Sequence, residues 1–136
     1  MTLVVDASVA LKWFVREAGS DRAVALLDGD EPLIAPDLVL AEVCNAAWKS
    51  LRRREIDQAQ FAEVATDVAQ VFQRLVPLES LVRRAAALAR ELDHPVYDCF
   101  YLALSESEGA ALVTADRRLV AACRGTPFAP RVQSLR

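Results

Sequence analysis

The chain has 136 residues, 54% hydrophobic and 26% charged, a length that buries one substantial core and is short for two ordinary domains, so a single domain over 1–136 is expected. Asp6 and Lys12 interrupt the N-terminal apolar segment well before the ~18 to 20 residues of a membrane span, and it lacks a basic leader and a small-residue cleavage site, so a cytosolic protein is expected. The formal net charge of −3 supplies no global attraction for a polyanion, and a nucleic-acid substrate would need a metal and local arginines instead.

Thr2 to Val5 is a short β-branched run suited to a buried parallel strand that ends at Asp6, after which Ala7 to Val15 has helical character. Ser20 is placed to cap a helix from Asp21 to about Leu27, which Gly29 ends. Leu33-Ile34-Ala35 reads as a second strand between Pro32 and Pro36. A long helix from about Asp37 to Arg53 and another from Asp57, where Asp57 and Gln60 have capping-box spacing, predict a helical hairpin. Leu75-Val76-Pro77-Leu78 is a short third strand whose proline suits an edge or an ending. Ser80 is placed to cap the alanine-rich helix Leu81 to Leu92; His94-Pro95 breaks it, and a further helix runs from Tyr97 to about Glu106. Gly109 leads to a strand at Ala111 to Thr114, a turn or two of helix from Asp116 to Cys123, and a tail with room for a marginal strand.

Strands alternating with helices imply crossover connections, hence an α/β fold with a mainly parallel sheet covered on both faces. Sites in such sheets lie at the carboxyl ends of the strands. Asp6 and Asp116 both stand just past strand ends. Glu42 shares a face of its helix with Asn45 and Lys49 by three- and seven-residue spacing and should point toward protein. Asp98 opens a helix with Phe100-Tyr101-Leu102 directly behind it.

Each acid has a local explanation: Asp6 can cap the helix after the first strand, and Asp98 and Asp116 suit first turns favoured by the helix dipole. Together, four carboxylates repel and raise one another's pKa unless a cation neutralises them. Oxygen ligands alone select a hard cation, and magnesium takes one or two carboxylates while accepting phosphate oxygens. One histidine leaves little for a histidine-based zinc site. Carboxylate-bound magnesium activates water for in-line attack at phosphorus, which favours phosphodiester hydrolysis.

At these residues the sequence resembles the PIN domain, and within it the VapC-type ribonuclease toxins of toxin–antitoxin systems. The stretches that carry the resemblance are Val4 to Trp13, Glu42-Val43-Cys44-Asn45, Tyr97 to Leu104 and Leu112-Val113-Thr114-Ala115-Asp116; one alone is weak, four in register are specific. The resemblance implies a three-layer α/β/α sandwich with four to five strands. It also implies a Mg2+ or Mn2+ site with Asp6 and Asp98 as principal ligands and Glu42 and Asp116 completing a quartet. Ser8 and Thr114 resemble supporting hydrogen-bonders, and Asn45 a supporting residue beside Glu42. An endoribonuclease acting on RNA is implied, inhibited by a cognate VapB-like antitoxin, with a homodimer and a toxin–antitoxin hetero-oligomer as the expected assemblies.

Arg117 and Arg118, beside Asp116, are placed for RNA phosphates, whereas Arg52-Arg53-Arg54 suit a solvated helix end. Val9 with Trp13 and Ala10 with Phe14 mark faces that are either core or an apolar groove for the antitoxin; an exposed Trp13 favours the groove. Cys44, Cys99 and Cys123 lie in apolar helical patterns and read as reduced core thiols, and a Cys99–His94 nucleophilic pair lacks an orienting third group. Two other classes compete. A phosphotransfer domain also clusters acids at strand ends, but Asp6-Ala7-Ser8 lacks the second aspartate of the Asp-x-Asp signature; a catalytically silent binding module is the other.

Overall fold

The computed structural model describes residues 1–135. Its first half runs β1 (Leu3–Val5), α1 (Ala7–Ala10) continued by a 3-10 turn at Leu11–Trp13, α2 (Ser20–Asp28), β2 (Leu33–Pro36), α3 (Leu38–Arg52) and α4 (Gln58–Val71). The second half runs β3 (Arg74–Val76), a 3-10 turn at Leu78–Ser80, α5 (Val82–Leu92), α6 (Val96–Glu108), β4 (Ala111–Thr114), α7 (Arg117–Cys123) and β5 (Val132–Ser134). The five strands form one sheet in the order β3-β2-β1-β4-β5, and all its pairings are parallel. Among the described residues seven helices flank it, giving the α/β architecture that the alternation predicts.

The chain steps from β1 to β2 to β3 in one direction, and α5 and α6 then carry it back past both to β4. Right-handed crossovers therefore put α1 to α4 on one face and α5 to α7 on the other. The connection reverses between β1 and β4, which pair from Leu3 with Ala111 to Val5 with Val113. In open parallel sheets such a switch point leaves a crevice at the carboxyl ends of the strands. Asp6 and Asp116 open onto that crevice, one from each side.

Core burial follows from this layering. α6 packs against β1, β2 and β4 on one side and α5 on the other, so every residue from Cys99 to Ser105 is buried. Its apolar run is therefore unbroken where an ordinary surface helix alternates. Truncating the fully buried Leu102 to alanine costs about 2–5 kcal/mol at such a site. On α3 the buried stripe is Val39, Val43, Ala47 and Ser50, the four- and three-residue spacing of one helical face. Among the described residues, no helix is long and apolar enough to cross a membrane.

Several helix starts differ from the sequence expectation. The capping box at Asp57 and Gln60 forms as expected, and α3 with α4 makes the predicted hairpin. Ser20, by contrast, lies inside α2, whose N-cap is Gly19 in the left-handed region; the Ser20 hydroxyl accepts from Glu17 N–H and donates to the Val15 carbonyl, closing the preceding loop. Ser80 likewise turns back to the Pro77 carbonyl and caps nothing, because a 3-10 turn precedes α5. The third strand is Arg74–Val76, an edge that stops before Pro77, and the tail supplies β5 against β4.

Candidate active site

Asp6 is the N-cap of α1 and 3% exposed, the one buried carboxylate among the described residues. Its Oδ1 accepts from Ser8 N–H at 3.0 Å, Ser8 Oγ at 2.5 Å and Val9 N–H at 3.3 Å, and its Oδ2 accepts from Thr114 Oγ1 at 2.5 Å. Both hydroxyls are held in turn by the segment just past β4, since Ser8 Oγ accepts from Ala115 N–H at 2.9 Å and Thr114 Oγ1 from Asp116 N–H at 3.0 Å. The ends of β1 and β4 are thereby locked around one carboxylate. Capping explains its contacts with Ser8 and Val9, but a cap is ordinarily solvated and does not require this burial.

Burial raises the Asp6 pKa from 3.8 to about 6, opposed by the Ser8 and Thr114 hydrogen bonds and assisted by the charge of Asp98. Glu42 is raised as well, first by burial and further by Asp98, while the hydrogen bond from Tyr101 lowers it. One charge, that of Asp98, thus acts on both Asp6 and Glu42. Mutual repulsion is present as the sequence suggests, but in both residues it is smaller than desolvation.

The sequence reading missed Tyr101. Its hydroxyl donates to Glu42 Oε1 at 2.6 Å, and burial with the nearby Glu42 and Asp6 charges holds its pKa well above 10, a rise that the Ala7 backbone N–H opposes. A phenol in that state is a fixed proton donor. It ties α6 to α3 beside the first turn of α1. The signal was its position one turn after Asp98, on the same helical face.

Asp98 lies in the first turn of α6, and its Oδ2 is 2.6 Å from His94 Nε2. Asp116 caps α7, accepting from Arg118 N–H at 2.9 Å. Every acid in the set therefore has a protein partner, and among the described residues no group of three His, Cys, Asp or Glu side chains stands close enough to hold a metal ion. The donor chemistry fits a hard divalent cation: oxygen ligands only, one of them buried and raised toward neutrality. His94 and Tyr101 each hold a single oxygen of Asp98 and of Glu42, which leaves the second oxygen of each carboxylate for a cation.

Asn45 stands one turn from Glu42 on α3. It is exposed, on the side of α3 opposite its buried stripe, because two residues from either Val43 or Ala47 carry it about 200° round the helix. Cys99 is fully buried with its thiol toward the His94 carbonyl at 3.9 Å and its pKa pushed up to about 11, so it forms no nucleophilic pair with the imidazole, which faces Asp98. Trp13 is half-buried, donates from Nε1 to the Ala23 carbonyl at 2.8 Å and packs on Phe72 at 5.6 Å. It belongs to the core reading. Arg117 and Arg118 are exposed next to Asp116, and Arg52 lies over Trp48 on the far end of α3.

Residues 3–125 match the family model for the PIN domain. The chain belongs to the PIN-domain family. Ribonuclease VapC3 of Pyrobaculum aerophilum is 33% identical over 121 residues, covering 88% of this chain and 92% of that protein. Among solved structures, the PAE2754 protein of P. aerophilum superposes with a TM-score of 0.66 at 26% identity, over 99% of this chain and 84% of that one. A toxin–antitoxin complex from Klebsiella pneumoniae gives 0.72 at 16% identity, over 99% and 98%; that likeness is one of fold. In this PIN domain the crevice beside β1 and β4 brings Asp6 and Glu42 within reach of the Asp98 charge, with Asp116 just past the end of β4.

Proposed function

We propose that this PIN domain is a metal-dependent endoribonuclease and the toxin of a VapBC-like toxin–antitoxin system, using Mg2+ or Mn2+ at the β1–β4 crevice. The observation that carries the reading is Asp6: a buried carboxylate, locked by Ser8 and Thr114 at the switch point of a parallel sheet and coupled to Asp98. The name of the ribonuclease relative supports the substrate class.

Asp6 and Asp98 would be the principal ligands, with Glu42 and Asp116 completing the set. A bound divalent ion supplies an activated water and neutralises charge developing on phosphorus. Ser8 and Thr114 hold Asp6 in one orientation, so the ligand's position is fixed by protein hydrogen bonds before any ion arrives. Tyr101, kept protonated, orients Glu42 without competing as a base. The cognate VapB-like antitoxin is the proposed inhibitor, and a homodimer the proposed toxin assembly.

The test is cleavage of RNA by the purified chain, freed of any partner, with Mg2+ or Mn2+ and with EDTA, alongside Asp6→Asn and Asp98→Asn. Metal-dependent cleavage that both substitutions abolish is expected; equal activity in all three proteins rejects the site. The internal partner found for each acid favours one competing reading, a silent binding module. Failure of either metal to bind or to raise the melting temperature at saturation would select it.

A further inference from the structure

The carboxyl ends of β4 and β5 carry a second feature beside the acids. A cavity of about 690 Å³ opens between α2 and α7, lined by Lys12, Arg22, Arg117 and Arg124, with Val120 and Leu135 on its walls and, among the described residues, no carboxylate in its lining. In a chain with 19 acidic and 16 basic residues, four cations without an acid is a marked segregation of charge. Lys12 is paired with Glu17 at 2.9 Å, whereas Arg22, Arg117 and Arg124 have no carboxylate within ion-pair distance among the described residues.

The groove is built rather than incidental. Arg117, Val120 and Arg124 share one face of α7 by three- and four-residue spacing, which sets the two arginines about 10 Å apart along the helix axis. Gly19 forms part of the opposite wall with φ of +89°, and a Cβ there would stand 3.5 Å from the Lys12 side chain and 3.6 Å from Leu135. Only glycine takes that conformation without strain, so α2 begins where Arg22 can face α7. The inner end is Ala115, whose N–H donates to Ser8 Oγ, which donates to Asp6. The groove adjoins the acidic crevice at Ala115 and Arg117, the two chain neighbours of Asp116.

We propose that this groove carries the RNA strand on one side of the scissile phosphate, with Arg22, Arg117 and Arg124, aided by Lys12, neutralising successive backbone phosphates. The inference rests on the ribonuclease reading of the adjacent acids. A ligand that continues from the groove into the crevice must place a negative charge opposite each arginine and a phosphodiester at the acids, which a nucleic-acid backbone does along its whole length. Among the described residues no aromatic side chain lines the groove, so bases are not stacked there; it grips backbone and tolerates sequence. Arg118 lies outside it, which separates two neighbouring arginines that sequence alone treats alike. Local cations thus supply the attraction that the overall charge of −3 does not.

The test measures binding of a short fluorescein-labelled single-stranded RNA of mixed sequence to the Asp98→Asn chain across a salt series. Arg22→Gln and Arg124→Gln, singly and together, are compared with Arg90→Gln on the outer face of α5. Each phosphate left without its arginine is expected to flatten the slope of log K against log salt by about 0.7, and the double variant by about 1.4, with several-fold weaker binding and Arg90→Gln unchanged. The arginines are exposed, and an unchanged melting temperature verifies that the variants fold. An unaltered slope in the double variant overturns the proposal. Weakened association with an acidic antitoxin segment but not with RNA also overturns it, assigning the groove to the protein partner. RNA cleavage by the unsubstituted chain with an unaltered slope sinks the groove alone, whereas a flattened slope with no cleavage under any metal sinks the ribonuclease reading alone.

Discussion

Replacing Asp6 with asparagine should stabilise the metal-free protein at neutral pH and lose that advantage in acid. Burial raises the folded-state pKa of Asp6 from 3.8 to about 6, so between those values the native state binds more protons than the unfolded chain. Stability therefore falls as pH rises through that window, and above it the full loss is present. At about 1.4 kcal/mol per unit, the rise corresponds to about 3 kcal/mol. Asparagine removes the charge but puts an NH2 where Oδ2 accepts from Thr114. That hydroxyl already accepts from Asp116 N–H and can rotate to accept a second hydrogen bond, which limits the loss to about 1 kcal/mol. A net gain of about 2 kcal/mol at pH 8 is a rise of roughly 8 °C in melting temperature for a chain of this size. Below pH 4 the gain should vanish or reverse. Thermal unfolding of both proteins in EDTA from pH 3.5 to 8, followed by circular dichroism, reads the difference directly, and charges common to both cancel. A difference that does not change with pH refutes the claim that an uncompensated buried carboxylate sits at this crevice.

Saturating Mg2+ or Mn2+ should offset that burial cost in the native protein, raising stability by about 2.7 kcal/mol at a hundredfold excess over Kd, with no rise in Asp6→Asn; calorimetry with EDTA reversal checks it. Tyr101→Phe keeps the ring but removes the donor to Glu42, so a stability loss of about 1 kcal/mol should accompany a larger fall in RNA cleavage; full activity would show that Glu42 needs no positioning. Thr114→Val strips Asp6 Oδ2 of its donor and leaves the Asp116 N–H without its acceptor, an expected cost of about 1–3 kcal/mol by denaturant titration. Ser8→Ala should behave similarly through Ala115, and an unchanged midpoint in both would show that water replaces these hydroxyls.

Periodicity makes the strands, the helical hairpin and the continuous apolar helix legible, because each rests on burial along one face of a local element. Asp6, Ser8 and Thr114 were legible through the family motifs, and the structure supplies the physical reason they occur together: a hydroxyl from the first turn of α1 and one from the end of β4 share one carboxylate. Ser20 and Ser80 misled because a capping residue is recognised by type, whereas its hydroxyl bonds whatever carbonyl or amide the loop presents. Asn45 keeps its place one turn from Glu42 but is exposed there, since sharing a helical stripe does not say which side of that stripe meets the protein.

By itself the sequence determined the alternation of elements, hence a parallel sheet with its acids at strand ends, since hydrophobic pattern and crossover rules are local and chiral. Only the tertiary structure decided which acids feel one another's charge, that each has a protein partner, that Tyr101 holds Glu42, and that Lys12, Arg22, Arg117 and Arg124 line one groove. Those relations join residues as much as 112 positions apart by number, Lys12 to Arg124, and depend on distance and desolvation. Neither quantity exists until the sheet brings the ends of β1, β4 and β5 together.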